Sequence, residues 1–132
     1  MAFAKHAEQG VVLKVPATGT TRFVVTHVGL RLRVDVLDTV REVDKAYLAG
    51  CRPRKRNWQV HAFFEQFGSR AKHFGRIVLP ADGNLAELVP HEVAHAVIRY
   101  YKTVSCDDDE RVATAIGLLS AKIQTKLMRL TS

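Results

Sequence analysis

From Val112 to the carboxyl end, Val112, Ile116, Leu119, Ile123, Leu127 and Leu130 recur at steps of three or four residues. At 3.6 residues per turn this draws one apolar stripe along a long helix, and the stripe must be covered by another part of the chain. Asp107 is placed to cap the amino end of that helix, with Glu110 at its third position as in a capping box. The remaining sequence therefore has to supply an apolar sheet or a second helix of comparable length.

Leu30, Leu32, Val34 and Val36 alternate with Arg31, Arg33 and Asp35, the period-two signature of a strand with one buried face. Residues 11–15, closed by Pro16, and 22–26 read as two further strands, with a Gly-containing turn at 17–21. Asp38 caps a helix over 39–49, in which Val40, Val43, Tyr47 and Leu48 fall at helical spacing before Gly50. Trp58, Val60, Ala62 and Phe64 alternate with Gln59, His61 and Phe63, giving another strand, and His73 to Leu79 gives one more after a turn at Gly68-Ser69. The expectation is one α+β domain over residues 1–132: a small, mostly antiparallel sheet with an early helix, a second helix after Asp82-Gly83-Asn84, and the long terminal helix. Residues 1–10 carry little pattern and read as a loose arm.

The second helix contains His91-Glu92-Val93-Ala94-His95 within an otherwise apolar run from Val89 to Ile98. Residues four apart on a helix lie one above the other, so His91 and His95 point the same way and can share one metal ion, with zinc expected. Glu92 is offset from both and is placed to act as general base on a water in the metal's open position. Asn84 and Glu87 would make a capping box, yet Pro90 would then lie inside the helix, so the helix either starts nearer Glu87 or kinks at Pro90.

A catalytic zinc normally takes three protein ligands, and Glu110, Asp107 to Asp109, Cys106, His61 and His73 are the candidates for the third. Glu110 is the first choice because Glu110, Ala113, Thr114, Gly117 and Ala121 form a stripe of mostly small side chains that would let a neighbouring helix approach. Thr114, one turn on, would support its carboxylate by a hydrogen bond. The alternative for Glu110 is a pure capping role. His6, His27, His61 and His73 are isolated in sequence and are given no role of their own.

The motif His91-Glu92-x-x-His95 followed by Glu110 on a second helix resembles the gluzincin class of zinc metallopeptidases in a minimal, single-domain form of the kind found in phage and bacterial genomes. The resemblance covers roughly residues 73–120 and implies a zincin-like fold, with zinc held by His91, His95 and Glu110 and water activated by Glu92. It also implies that the strand before the motif helix is a sheet edge to which a protein or peptide substrate adds as a further strand, a role that falls on Phe74, Gly75, Arg76, Ile77 and Val78. Tyr100 and Tyr101 are expected to pack at the helix end.

The formal net charge of +7 favours acidic partners. The densest basic stretch, Arg52, Arg54, Lys55 and Arg56 with Trp58 beside it, offers weak grounds for nucleic-acid contact, and no recognised nucleic-acid-binding motif accompanies it. Cys51 and Cys106 have no framework spacing, no apolar run approaches 18 residues, and the amino terminus lacks a signal-peptide pattern, so a cytoplasmic protein without membrane contact is expected. The functional expectation is a zinc-dependent metallopeptidase. Its rivals are a non-catalytic scaffold used for assembly, as in a phage virion, and a basic nucleic-acid-associated protein; the oligomeric state is open.

Overall fold

The computed structural model describes residues 12–14, 20–50 and 59–131. In chain order it contains β1 (Val12–Lys14), β2 (Thr21–His27), β3 (Leu30–Leu37), α1 (Val40–Gly50), β4 (Phe63–Gln66), β5 (Gly75–Pro80), α2 (Leu85–Thr103) and α3 (Asp109–Thr131). The strands form one sheet in the order β1-β2-β3-β5-β4. All neighbouring pairs are antiparallel except β3 and β5, which run parallel. The α+β architecture with a mostly antiparallel sheet is therefore as the sequence predicts. The parallel pair arises because the chain leaves β3 through α1, returns as β4 at the sheet edge, and inserts β5 between the two.

The alternation in β3 does what its period requires. Leu30, Leu32, Val34 and Val36 join Phe23, Val25, Ile77 and Leu79 on one sheet face, where they are buried beneath α2 and α3. Those helices contribute Val89, Val93, Ala96 and Val97 from α2 and Ala115, Leu119, Ile123 and Leu127 from α3. Each large aliphatic side chain buried there stabilises the fold by about 1.5–3 kcal/mol relative to exposure. On the opposite face, α1 lays Val43 over Val60, Phe63 and Val78. On the same face, beside Val78, Asp35 is buried and collects Arg22 (2.9 Å), Arg33 (3.3 Å) and Arg76 (3.3 Å). Glu65 takes Arg76 Nε at 2.7 Å, so the charges on this face bind neighbouring strands together.

Several details differ from the sequence reading. Thr39 caps α1 through Oγ1, accepting from the Glu42 N–H at 3.1 Å, where Asp38 was expected. Asp108 caps α3, its Oδ1 accepting from the N–H groups of Glu110 (3.0 Å) and Arg111 (3.3 Å), so Glu110 stands at the second helical position and Asp107 outside the helix. The small-residue stripe Ala113, Thr114, Gly117 and Ala121 is exposed, and α3 meets its neighbours through Ala115, Leu119 and Ile123 instead. The fourth strand begins at Phe63, and residues 59–62 approach it as irregular chain. The expected arm at 1–10, the 15–19 turn region, and the basic stretch with Arg52, Arg54, Lys55, Arg56 and Trp58 lie outside the described residues.

The largest correction concerns β5. The segment carrying Gly75, Arg76, Ile77 and Val78 is no edge strand: it pairs with β3 on one side and β4 on the other, and Phe74 just precedes it. Ile77, Val78, Leu79 and Pro80 are consecutively buried, as befits a strand covered on both faces. Gly75 is held against β4 so tightly that an added Cβ would lie 2.3 Å from the Glu65 carbonyl oxygen and 2.6 Å from the Phe64 ring. Gly75→Ala should therefore destabilise the protein by about 1–3 kcal/mol, the usual cost of forcing extra volume into a close-packed site. Chemical denaturation would measure it, and unchanged stability would show that β4 does not press on β5 at this point.

Candidate metal centre

Helix α2 runs from Leu85 to Thr103 with Pro90 inside it. Proline removes one N–H from the ladder, so the Ala86 carbonyl loses its usual helical partner without the helix ending there. At the amino end, Asn84 Nδ2 donates to Glu87 Oε2 at 3.2 Å, and no side-chain bond caps the backbone. The rotation of α2 about its axis is set by Val89, Val93, Ala96 and Val97, all fully buried. With that face turned inward, the helical period directs His91 and His95 outward and leaves Glu92 at the boundary between core and solvent. The side chain of His91 is 65% exposed, whereas that of Glu92 is 7% exposed.

The two imidazoles meet. His91 Nε2 and His95 Nε2 are 3.2 Å apart, with ring planes at 79°. Two imidazoles sharing a tetrahedral zinc at roughly 2.0–2.1 Å leave about 3.3–3.4 Å between their nitrogens, so the spacing suits a shared ion. The same spacing serves as an N–H···N hydrogen bond between neutral rings of complementary tautomers. Glu92 Oε2 lies 4.0 Å from His91 Nε2, near the pair without sitting between them.

These residues open onto a cavity of about 490 Å³, whose wall also includes His61, Glu87, Arg99 and Phe64. Its far side is formed by the 59–62 segment and by β4, the sheet edge. Glu87, His91, His95 and Arg99 follow one another at four-residue steps, so α2 presents an acid, two imidazoles and a guanidinium along one line of the cavity. That stripe is visible in the sequence, and extending the motif by one turn at each end would have found both charged residues. His61 shares the cavity although nothing in its local sequence marks it; only the return of the chain along the sheet edge brings it there.

The other expected site residues lie elsewhere. Glu110 is exposed and lines a separate cavity of about 550 Å³ with Tyr100, Tyr101, Cys106, Asp108 and Thr114, away from both histidines. Thr114 is exposed and makes no hydrogen bond to Glu110 among the described residues. His73 lies in a third cavity beside the 67–74 loop. Among the described residues no three His, Cys, Asp or Glu side chains gather as a metal-binding group. The donor set fits zinc as far as it goes, with two imidazoles correctly spaced and an acid behind them. No helix is long and apolar enough to cross a membrane among the described residues. Comparison with known protein families, with curated proteins and with solved structures found no match.

Burial raises the proton affinity of the Glu92 carboxyl above the ordinary carboxylate value, and the neighbouring His91 and His95 only partly oppose this. The folded state thus holds the proton more tightly than the unfolded chain, and stability falls as pH rises from the usual carboxylate range through the raised value. Metal-free Glu92→Gln should accordingly melt at a higher temperature than the parent at pH 7, with the gap closing as the pH is lowered to about 4. Thermal melts across that range test this; a variant less stable than the parent at pH 7, or a gap independent of pH, would contradict it.

Proposed function

We propose that this protein is a zinc-dependent hydrolase of peptide bonds, with His91 and His95 holding the ion and Glu92 serving as general base. The observation that supports this best is the 3.2 Å approach of the two Nε2 atoms beside a buried carboxyl whose proton affinity is raised. His61 does not gather with the pair into a three-donor group in this structure, but it lines the same cavity and so replaces Glu110 as the candidate third donor. Zinc held there would supply Lewis acidity, polarising the scissile carbonyl and bringing the pKa of water down towards about 7.

The chain's own groups supply the remainder. The Glu92 carboxylate takes a proton as the water oxygen bonds to the carbonyl carbon, and gives it to the leaving nitrogen as the C–N bond breaks. A carboxyl with raised proton affinity is suited to both halves of that transfer, because it holds the proton between the two steps. Strand β4, rather than β5, has one main-chain edge with no neighbouring strand among the described residues, and it carries Phe63 and Phe64 into the cavity wall. An extended peptide could pair with that edge and so be carried across the histidine pair.

Protein purified without a tag should retain about one zinc per chain by elemental analysis. Glu92→Gln should keep the ion and lose hydrolysis of an unstructured protein such as casein by roughly 10²–10⁴-fold, the usual contribution of a general base. His61→Ala should weaken zinc binding while Glu110→Ala leaves it intact. Undiminished hydrolysis by Glu92→Gln would overturn the assignment of the base, and loss of zinc only in Glu110→Ala would return the third position to α3.

A further inference from the structure

The cavity that holds His73, of about 340 Å³, opens between the amino end of β3, the 67–74 loop and the carboxyl end of α2. It shares no lining residue with the cavity over His91 and His95. Its wall carries Arg31, Lys72 and His73, and no aspartate or glutamate among the described residues. The other two cavities each contain carboxylates: Glu87 and Glu92 in one, Asp108 and Glu110 in the other.

The contrast with the neighbouring arginines is informative. Arg22, Arg33 and Arg76 face the same side of the sheet as Arg31, and all three are bound to Asp35. The side chains of Arg31 and Lys72 are exposed and have no hydrogen-bond or ion-pair partner among the described residues. Among the described residues, no carboxylate in the wall neutralises this positive charge. His73, part-buried in its wall, registers that charge: burial, then Arg31, Arg33 and Lys72, all lower its affinity for a proton.

The polar groups are set in an aromatic surround. Phe67 lies beneath the Arg33 guanidinium at 5.2 Å, and Phe74 stacks on Phe64 (6.0 Å) with Tyr100 near perpendicular to it (5.3 Å). Ser69 adds a hydroxyl to the wall. The loop is fastened at both ends, Phe67 N–H donating to the Phe74 carbonyl and Phe74 N–H to the Arg31 carbonyl, each at 2.9 Å. Cations without counter-charges beside flat aromatic rings are the combination that takes a phosphate together with the base it carries. The volume lies within the range of small-ligand sites.

We propose that this cavity binds the phosphate of a nucleotide, either free or as one unit of a single strand, with Arg31 and Lys72 as the anion-binding groups and Phe67 and Phe74 as the surface for the base.

The test uses the full chain. Fluorescence anisotropy with a labelled oligothymidylate at about 50 mM salt measures strand binding. Competition by adenosine monophosphate, inorganic phosphate and adenosine separates the phosphate from the base. The Arg31→Ala/Lys72→Ala double variant should bind at least tenfold more weakly. The control Arg41→Ala/Lys45→Ala, which removes the same charge from α1, should stay within twofold of the parent. Adenosine should not compete. The two sources are told apart by their relative strength: an oligomer bound far more tightly than the mononucleotide assigns the cavity to strands, and equal binding assigns it to free nucleotides. In the parent protein, the His73 ring signals in NMR should shift saturably with adenosine monophosphate, a readout that needs no variant. No binding of any phosphate-bearing probe, or equal weakening by the α1 control, would overturn the proposal.

Discussion

The burial of Val89, Val93, Ala96 and Val97 between the sheet and α3 determines what α2 can do. A helix rotated so that these four positions face inward has no freedom left for its other faces. His91 and His95 must then stand outward, one turn apart, and Glu92 must sit at the rim, where burial raises its proton affinity while it remains beside the imidazoles. Rotating α2 by even one residue's angle would bury a histidine or expose a valine, so the apolar contacts of the fold and the geometry of the candidate metal centre are one constraint.

The sheet supplies the opposite wall of that centre through an insertion. Because β5 enters between β3 and β4, the strand next in sequence before α2 is sealed inside, and β4 with the 59–62 segment is left facing the helix. Gly75 allows this by letting the β4 backbone close on β5 where a side chain would collide. On the outer face, the cluster around Asp35 joins β2, β3 and β5 and, through Arg76 and Glu65, reaches β4. Breaking a buried charge cluster by removing its acid leaves several cations uncompensated, which makes Asp35 important to the alignment of the strands.

Much of this was legible in the residues. The alternation from Leu30 to Val36 gives a strand with its inward face correct, and the stripe from Val112 to Leu130 gives α3 and its buried side. Other features depend on contacts that no local pattern encodes. Phe63 and Phe64 are adjacent and both pack, one under α1 and one towards α2, so alternation alone cannot assign the faces of β4. A strand covered on both sides, like β5, looks much the same in sequence whether it lies inside the sheet or at its edge. On α3 two stripes competed, the small one with Glu110 and the large one with Leu119 and Ile123; the large one faces the core because burying Leu and Ile removes far more apolar surface from water. That choice of helix face turns Glu110 away from the histidines, and it follows from side-chain volume more than from any motif.

The proposed function requires His91 and His95 to share one zinc ion. X-ray absorption at the zinc edge, on zinc-loaded protein freed of excess metal, tests it directly. The expected result is nitrogen and oxygen donors at about 2.0–2.1 Å with the outer-shell scattering of imidazole rings, and loss of the bound ion when both histidines are replaced by alanine. A protein that retains no zinc, or one whose spectrum is unchanged by that double replacement, would contradict it.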